Sequence, residues 1–345
     1  MALSRRAARP RAVEVVFLPG LRRSVADEIR SLLPRVQPAP VPGREDALRF
    51  AYPGPLERLT ALRTAVAAFT VLTFGVARPA QLLHADHLRR IRAAASEVDG
   101  VRSFRIEAAG SGSAVFGRLA EAIAGATGLA HRRGDGDLVL RFRPCPDADG
   151  WDVLVRTSAR PISARAWRVA DYPGAVNATI AAAMVRMLPH RPEDRFLNLM
   201  SGSGTLLVER LLAGRARAAV GVERSAAANA ACRANLAAAG VAAELAAADV
   251  ASPDLLGGRR FEAVAADPPW GTRTGSHETN AELYGAMLDT AHRLAAPGGV
   301  FAVLTHEVRL MERLLREHRA QWEPRAVHQV FQKGHHPRIH VLHRR

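Results

Sequence analysis

Cysteine is nearly absent from this 345-residue sequence, which has only Cys145 and Cys232, far apart in the chain. Two isolated cysteines cannot build a disulfide framework, and neither has a second cysteine or a histidine at the spacing of a zinc site. We therefore expect no bound metal, and we interpret both cysteines as small buried apolar residues.

Long apolar runs are also missing. No uninterrupted apolar stretch reaches the length of about eighteen residues that a membrane-spanning helix needs, and the first residues lead into no apolar signal-peptide core. The chain is 48% hydrophobic, which is enough for globular folding. We expect a soluble, cytoplasmic protein without a membrane partner, for which a monomer is the favoured state.

Lysine is almost absent as well, because Lys333 is the only lysine among 48 basic residues. With 33 acidic residues, the formal net charge is +15. Such an excess is typical of proteins that bind polyanions. Compositional drift toward arginine across a whole proteome produces the same excess, so the charge alone does not decide for a nucleic-acid partner.

The length of the chain favours two domains, and the patterns in its two halves differ. In the N-terminal half, short β-rich runs alternate with helical ones. Strands are predicted at 13–18, 103–108, 137–142 and 151–155, and helices at 22–33 and 115–123. This order predicts an α+β half with an antiparallel sheet. A proline-containing stretch around 159–174 then predicts a linker.

After the linker, strands and helices alternate regularly. A helix at 175–187 precedes strands at 196–199, 219–222, 243–247, 263–266 and 300–304, with helices at 205–213, 225–239 and 282–294 between them. This alternation predicts an α/β fold with a parallel, doubly wound, Rossmann-like sheet. Two final strand-like runs, 322–331 and 338–342, predict an antiparallel hairpin that closes the sheet.

A glycine-containing loop follows the first of these strands and opens a helix. Gly202 and Gly204 allow a tight turn and a close approach to a ligand, and Thr205 starts a helix whose free N–H groups can hold a carboxylate. A plain tight turn explains the four residues equally well. However, Glu223 ends the next strand, where a carboxylate can receive two ribose hydroxyls. Leu207 stands where a dinucleotide-binding loop has its third glycine, which argues against a nicotinamide cofactor.

Asp249, just past the third strand, can reach an adenine edge, although a helix-capping role explains it equally well. The candidate cofactor-binding residues are Asn198, Ser201, Gly202, Ser203, Gly204, Thr205, Glu223, Arg224, Asp249 and Val250.

The strand at 263–266 stops at Asp267-Pro268-Pro269-Trp270, the candidate reaction centre. Two consecutive prolines fix φ and remove two backbone donors, which holds the neighbouring carbonyls rigid. An exocyclic base amine is a poor nucleophile because its lone pair is delocalised into the ring. The Asp267 carboxylate and the Pro268 carbonyl can accept its two hydrogens and aim the lone pair at an activated methyl group. Trp270 offers a flat face to an unstacked base. The alternative, a core tryptophan and prolines that only end a strand, leaves the order of strand, acid, prolines and aromatic unexplained.

These motifs carry a resemblance to a known class. The segment 172–306 resembles the Rossmann-like domain of the S-adenosylmethionine-dependent amino-methyltransferases, which have (D/N)PP(Y/F/W) after strand four and GxG after strand one. Residues 201–209, SGSGTLLVE, are similar to the CGSGTxxIE signature of the THUMP-domain tRNA guanine-N2 methyltransferases, with Ser201 in place of the usual cysteine. The resemblance implies S-adenosylmethionine as cofactor and methyl transfer to the N2 of a guanosine in tRNA, with catalysis by Asp267, Pro268, Pro269 and Trp270.

The N-terminal half shares this resemblance. Residues 17–29 are similar to the PGLE…EEL opening of the ferredoxin-like module of that family, and 103–156 have the strand, helix and paired-strand order of a THUMP domain. The implied organisation is a ferredoxin-like part at 1–60, a THUMP-like RNA-binding domain at 61–158, a linker at 159–174 and a methyltransferase domain at 175–345. It also implies that the N-terminal half grips the acceptor end of tRNA.

Several residues outside these motifs are candidate RNA contacts. Lys333, His335, His336 and Arg338 crowd the tip of the predicted hairpin, where a solvated basic turn is the alternative. Arg165 lies in the linker, where packing between domains is the alternative. His306 follows the fifth strand and can touch the substrate.

Other functions remain open at this stage. The same chemistry can act on adenine N6 in DNA or RNA, on guanine N2 in rRNA, or on a glutamine amide in a protein. The basic charge disfavours a protein substrate, and the THUMP-like half disfavours DNA. A non-catalytic RNA-binding protein that keeps the fold is a further alternative, against which the intact motif residues count.

Overall fold

The computed structural model describes residues 10–270, 277–332 and 334–345, and of 277–279 the backbone only. The chain forms two compact units. The first runs to Phe17 and resumes over Val25–Ala164, and the second comprises Leu18–Ser24 and Arg165–Arg345. No helix among the described residues combines the length and apolar character needed to cross a membrane.

The first unit is built on one mixed sheet of eight strands. These are β1 (Arg11–Val16), β2 (Ala39–Pro40), β3 (Ala47–Tyr52), β4 (Ala67–Phe74), β5 (Ser103–Glu107), β6 (Ala130–His131), β7 (Leu138–Pro144) and β8 (Trp151–Arg156). Their order is β2-β3-β1-β4-β8-β7-β5-β6. β5 runs parallel to β6 and β7, and the other neighbours are antiparallel.

Three helices lie between these strands in the chain: α1 (Arg22–Leu32) after β1, α2 (Ala85–Ala95) after β4, and α3 (Ala114–Thr127) after β5. Ile91 of α2 and Phe116 of α3 are buried in one apolar core with Phe104 of β5 and Val153 of β8. The predicted α+β architecture is confirmed, but the predicted antiparallel sheet is wrong, because β5 pairs in parallel with β6 and β7 and makes the sheet mixed. The predicted division at residue 60 stays a prediction, and β1 and β4, one on each side of it, are hydrogen-bonded neighbours.

The second unit contains a seven-stranded sheet with helices between its strands. Its elements are α4 (Ala178–Arg186), β9 (Arg195–Leu199), α5 (Thr205–Ala213), β10 (Ala218–Val222), α6 (Ala226–Ala238), β11 (Glu244–Ala246), β12 (Phe261–Ala266), α7 (His277–Leu294), β13 (Ala295–Thr305), α8 (Val308–Glu317), β14 (Trp322–Gln329) and β15 (Arg338–Arg344).

The strand order β11-β10-β9-β12-β13-β15-β14 confirms the predicted Rossmann-like fold. The first five strands in this order are parallel, and the β14–β15 hairpin adds two antiparallel strands. The chain crosses over between β9 and β12, and ligands of such sheets bind beyond the carboxyl ends of the strands at this switch point.

Several boundaries differ from the prediction, among them the starts of α7 and β13, and two of the differences have a local reason. α4 begins at Ala178 rather than at 175, because the Asn177 side chain caps it by accepting a hydrogen bond from Thr179 N at 2.8 Å. β14 ends at Gln329, and Val330 N instead donates to Pro337 O at 3.0 Å across the hairpin.

Some elements have no counterpart in the sequence predictions, namely α2, α8 and the strands β2, β3, β4 and β6. In α8, Met311, Leu314 and Leu315 recur at helical spacing and are buried in the core of the second unit. Their periodicity was a usable signal. In α2 the buried residues are Ile91, Ala94 and Ala95, and alanines give little contrast to a hydrophobic pattern.

Candidate functional site

Three segments of the site follow β9, β10 and β12, which are adjacent parallel strands. In register, β9 Leu199 lies beside Val222 of β10 and Ala266 of β12. The residues after these three positions therefore meet at one edge of the sheet, as expected for a ligand crevice.

The loop after β9 contains three residues in the left-handed region. Met200, Gly202 and Gly204 have φ values of 49°, 53° and 79°. A Cβ on Gly204 would lie 2.4 Å from Sγ of Cys232, whereas a Cβ on Gly202 would meet no atom within 4 Å. Packing against Cys232 therefore requires a glycine at position 204, whereas the space beside Gly202 is open.

Glu223 ties this loop to the end of β10. Its Oε2 accepts a hydrogen bond from Gly202 N at 3.0 Å, and its Oε1 accepts one from Ser225 N at 2.8 Å. Ser201 N in turn donates to Val222 O at 2.9 Å. The carboxylate predicted to receive ribose hydroxyls is thus held in place, and each of its oxygens keeps a second lone pair.

The segment after β11 contains the predicted cofactor residues Asp249 and Val250. Asp249 Oδ1 accepts from Ala251 N at 2.9 Å, which closes a local turn; the next helical turn begins only at Leu255, so Asp249 does not cap a helix. Its Oδ2 lies 3.2 Å from Nη1 of Arg224, whose side chain is mostly exposed. Val250 is buried in the core, and its carbonyl accepts from Thr290 Oγ1 at 2.9 Å. Any cofactor contact by Val250 would therefore use its backbone N–H.

Two further predicted residues have polar atoms without a partner. Asn198 Oδ1 and Ser201 Oγ are buried, and neither makes a hydrogen bond to the part of the chain that the structure describes. Asn198 Nδ2 donates to Ala265 O at 3.2 Å, which directs this amide between β9 and β12. Buried polar atoms in native proteins are nearly always paired, so these two favour a polar ligand.

Asp267 follows β12 and carries the most perturbed carboxyl group of the crevice. Burial raises its pKa to about 8, and the nearby Trp270 indole offsets this only in part. Asp267 Oδ1 and Trp270 Nε1 are both buried, and neither makes a hydrogen bond of normal geometry within the described residues. A buried carboxyl oxygen without a donor is ready to accept one from a ligand.

Trp270 belongs to a group of three rings. Its indole stacks on His306, with centroids 5.9 Å apart and an angle of 28° between the planes. His335 meets His306 edge-on at 5.1 Å. Of these three, only Trp270 was assigned to the reaction centre from the sequence. The structure thus brings together Trp270 and His306, which the sequence analysis considered separately.

Comparison with known proteins decides the class. Residues 165–338, half of the chain, match the family model of the RMKL-like methyltransferase domain, UPF0020. The chain belongs to this methyltransferase family. Members of this class use S-adenosylmethionine, and the Rossmann-like fold of the second unit is consistent with that cofactor.

Individual relatives of this methyltransferase agree with the family assignment. It is 29% identical over 264 residues to the tRNA (guanine(6)-N2)-methyltransferase of Thermus thermophilus, covering 71% of this chain and 74% of the relative. It is 29% identical over 147 residues to the tRNA (guanine(10)-N2)-dimethyltransferase of Methanothermobacter thermautotrophicus, covering 42% of this chain and 43% of the relative. The crystal structure of TrmN from Thermus thermophilus has a TM-score of 0.78 at 25% identity, covering 97% of this chain and 99% of that one.

The prediction that Arg165 contacts RNA is wrong. The side chain of Arg165 is only 5% exposed and its Nε donates to Oε1 of the fully buried Glu209 at 2.8 Å. Arg168, three residues on, donates to Thr205 Oγ1 at 3.0 Å. The arginines of this linker therefore hold α5, and Arg165 is explained by packing within the second unit rather than between domains.

The other predicted RNA contacts lie on the β14–β15 hairpin. Lys333 lies outside the described residues. His335 and His336 are exposed, whereas Arg338 donates to Glu312 of α8 at 2.7 Å. Because His335 contacts His306, which stacks on Trp270, the hairpin tip adjoins the candidate reaction centre.

Sequence reasoning missed Tyr284 and Thr305. The buried hydroxyl of Tyr284 on α7 lies 3.0 Å from Pro269 O and 3.0 Å from Thr305 Oγ1. No motif marks either residue. Only the packing of α7 and β13 against the end of β12 brings them to the candidate reaction centre.

Proposed function

We propose that this methyltransferase transfers a methyl group from S-adenosylmethionine to the exocyclic N2 of a guanosine in tRNA. The observation that carries this proposal is that Oδ1 of Asp267, buried at the end of β12 and adjacent to Pro268, has no hydrogen-bond partner among the described residues. A carboxyl oxygen in this position suits an amine donor, and an exocyclic base amine offers two N–H groups.

The residues around the glycine loop fit the cofactor. The open space at Gly202 admits a ligand close to the backbone, and Glu223 presents lone pairs for ribose hydroxyls. Asn198 Oδ1 and Ser201 Oγ offer polar atoms that lack partners within the described chain. When bound there, S-adenosylmethionine supplies a sulfonium methyl group. Arg224, Asp249 and the backbone of Val250 stand beyond the neighbouring strand ends, where we place the adenine.

Asp267 and Pro268 orient the acceptor amine in this proposal. One hydrogen of the amine is accepted by the Asp267 carboxylate and the other by the Pro268 carbonyl, which turns the nitrogen lone pair toward the methyl group. Orientation of this kind accounts for several kcal/mol of a barrier, about 7–11 at its upper range. After transfer the nitrogen is positively charged, and its proton passes to the Asp267 carboxylate. The Trp270 face receives the base.

The choice of tRNA follows from the relatives and from the charge of the first unit. Both curated relatives named above carry tRNA guanine-N2 activity in their names. Exposed arginines of the first unit can bind phosphates, namely Arg89, Arg92, Arg102, Arg118, Arg132 and Arg133. We therefore propose this unit as a THUMP-like, RNA-binding module. A tRNA substrate also favours a cytoplasmic location.

A nucleoside assay with a matched substrate tests the proposal. A tRNA transcript with guanosine at position 6 is incubated with the protein and methyl-labelled S-adenosylmethionine, beside the same transcript with inosine at that position. Inosine differs only in lacking the exocyclic amine. Digested nucleosides are identified by mass spectrometry, and Asp267→Ala serves as the variant control.

The expected result is N2-methylguanosine with the guanosine transcript, and none with the inosine transcript or with Asp267→Ala. Methylation of both transcripts would move the target to another guanosine, such as position 10. Methyl transfer to adenosine N6, or to no RNA despite cofactor binding, would overturn the proposal.

A further inference from the structure

A chain of hydrogen bonds runs from β13 to the reaction centre. Glu307 N donates to Thr305 Oγ1 at 2.9 Å, Thr305 Oγ1 lies 3.0 Å from Tyr284 Oη, and Tyr284 Oη lies 3.0 Å from Pro269 O. Tyr284 and Thr305 are both fully buried. No water is needed to connect the four groups.

The direction in which protons are donated along these hydrogen bonds follows from the groups at the two ends. The Pro269 carbonyl can only accept, so the single proton of the Tyr284 hydroxyl is donated to it. Tyr284 Oη must then accept from Thr305, whose oxygen accepts from the Glu307 amide. Each bond therefore polarises the next in the same sense. Burial also raises the pKa of Tyr284, so that its proton stays in place.

The reaction centre depends on hydrogen bonds from neighbouring elements, because its own backbone has few N–H donors. Pro268 and Pro269 have no backbone N–H, so neither can donate to the sheet or to a turn. Tyr284 donates a hydrogen bond to Pro269 O, and the proline ring of Pro269 limits rotation about its φ. Fixing the Pro269 carbonyl sets the orientation of the preceding carbonyl, that of Pro268, which the proposed function assigns to the substrate amine.

We infer that Tyr284 and Thr305 are positioning residues, which aim the Pro268 carbonyl and the Asp267 carboxylate at the target amine. This inference rests on the proposed function. Both hydroxyls are buried, so we assign them an effect on the reacting groups rather than a contact with the substrate. Their effect is on the geometry of transfer and leaves cofactor binding to the glycine loop unchanged.

Tyr284→Phe tests the inference because it removes one oxygen atom from a buried ring. We expect kcat to fall about 10- to 100-fold, since misplacement of a reacting group by about 1 Å costs on this order. The KM for tRNA and the Kd for S-adenosylhomocysteine, measured by calorimetry, should change less than about 3-fold. Thr305→Val should likewise lower kcat and leave KM and Kd nearly unchanged. Thr305→Ser, which keeps the hydroxyl, should retain near wild-type kcat.

A tyrosine in the first unit of the protein provides a matched control. Tyr52 is buried, and its hydroxyl donates to the carbonyl of Pro55 at 2.9 Å. Tyr52→Phe therefore removes the same type of hydrogen bond away from the reaction centre. It should lower the melting temperature about as much as Tyr284→Phe does and leave kcat unchanged.

Because the two hydroxyls act in one chain, Tyr284→Phe combined with Thr305→Val should cost little more than either change alone. Equal kcat in Tyr284→Phe, Tyr52→Phe and the wild type would overturn the inference, as would Thr305→Ser behaving like Thr305→Val. Absence of methyl transfer by the wild-type protein to any RNA would instead count against the proposed function.

Discussion

Sγ of Cys232 lies directly beneath Gly204, 2.4 Å from where a Cβ on that glycine would be. Gly204 also has φ of 79°, a conformation in which L side chains are strained. The cysteine that the sequence predicts to be a buried apolar residue is thus part of the floor of the glycine loop.

Gly204→Ala should weaken binding of S-adenosylhomocysteine at least about 10-fold and lower stability by about 1–3 kcal/mol, through overpacking and backbone strain. The double variant with Cys232→Ala removes the sulfur atom and should recover part of both losses, whereas the φ strain remains. Calorimetric binding and thermal unfolding measure the two effects. Equal behaviour of the single and double variants would show that the contact with Cys232 is not the cause.

The raised pKa of Asp267 predicts a pH dependence of methyl transfer. Its carboxyl group is neutral below a pKa of about 8 and is ionised above it, so the acceptor form gains population as the pH rises. In the free enzyme, kcat/KM should therefore rise nearly tenfold per pH unit below about 8 and level off above it.

Asp267→Asn provides the control for this pH profile, because the amide keeps an oxygen acceptor but does not titrate. We expect a lower rate, by about 10- to 100-fold at high pH, since a charged acceptor makes the stronger hydrogen bond. The rise toward pH 8 should be absent. A rise of the same size in the Asn variant would assign the pH dependence to another group.

The stack of Trp270 on His306 predicts a graded effect on substrate binding. Trp270→Ala should raise the KM for tRNA by about 5- to 100-fold, because base stacking contributes roughly 1–3 kcal/mol. Trp270→Phe keeps an aromatic face and should lose much less. His306→Ala should have an intermediate effect by loosening the indole, which steady-state kinetics on the position-6 transcript would detect.

The buried ion pair of Arg165 and Glu209 predicts a stability effect without an RNA effect. Arg165→Ala should lower the free energy of unfolding by about 3–5 kcal/mol, since it leaves a buried carboxylate without this partner. Replacement of the exposed Arg316 by alanine is the control and should change stability by less than about 0.5 kcal/mol.

RNA affinity provides the second measurement for Arg165. A residue that contacts phosphate reduces the slope of log affinity against log salt concentration by about one unit when it is removed. For Arg165→Ala at a temperature where it is folded, the slope should match that of the wild type. A reduced slope would restore Arg165 as an RNA contact.

Much of the fold was predictable because its signals are local. The strands β9, β10 and β12 are short apolar runs, each followed by a glycine loop or an acid, and such residues are readable from the sequence. α2 was not predicted, because alanines supply part of its buried face. Arg165 was interpreted as an RNA contact because it is a charged residue in a predicted linker, and only the folded structure shows Glu209 paired with it.

The sequence by itself determined the class of the protein: the order of strands, the glycine loop, Glu223 and the Asp267 tetrapeptide predict a Rossmann-like methyltransferase that acts on a base amine. These features depend on residue type and on spacing along the chain. The tertiary structure decided which atoms face one another, including Tyr284 with Pro269, His306 with Trp270 and Cys232 with Gly204. Such contacts join residues distant in sequence, whose distances depend on how helices and strands pack.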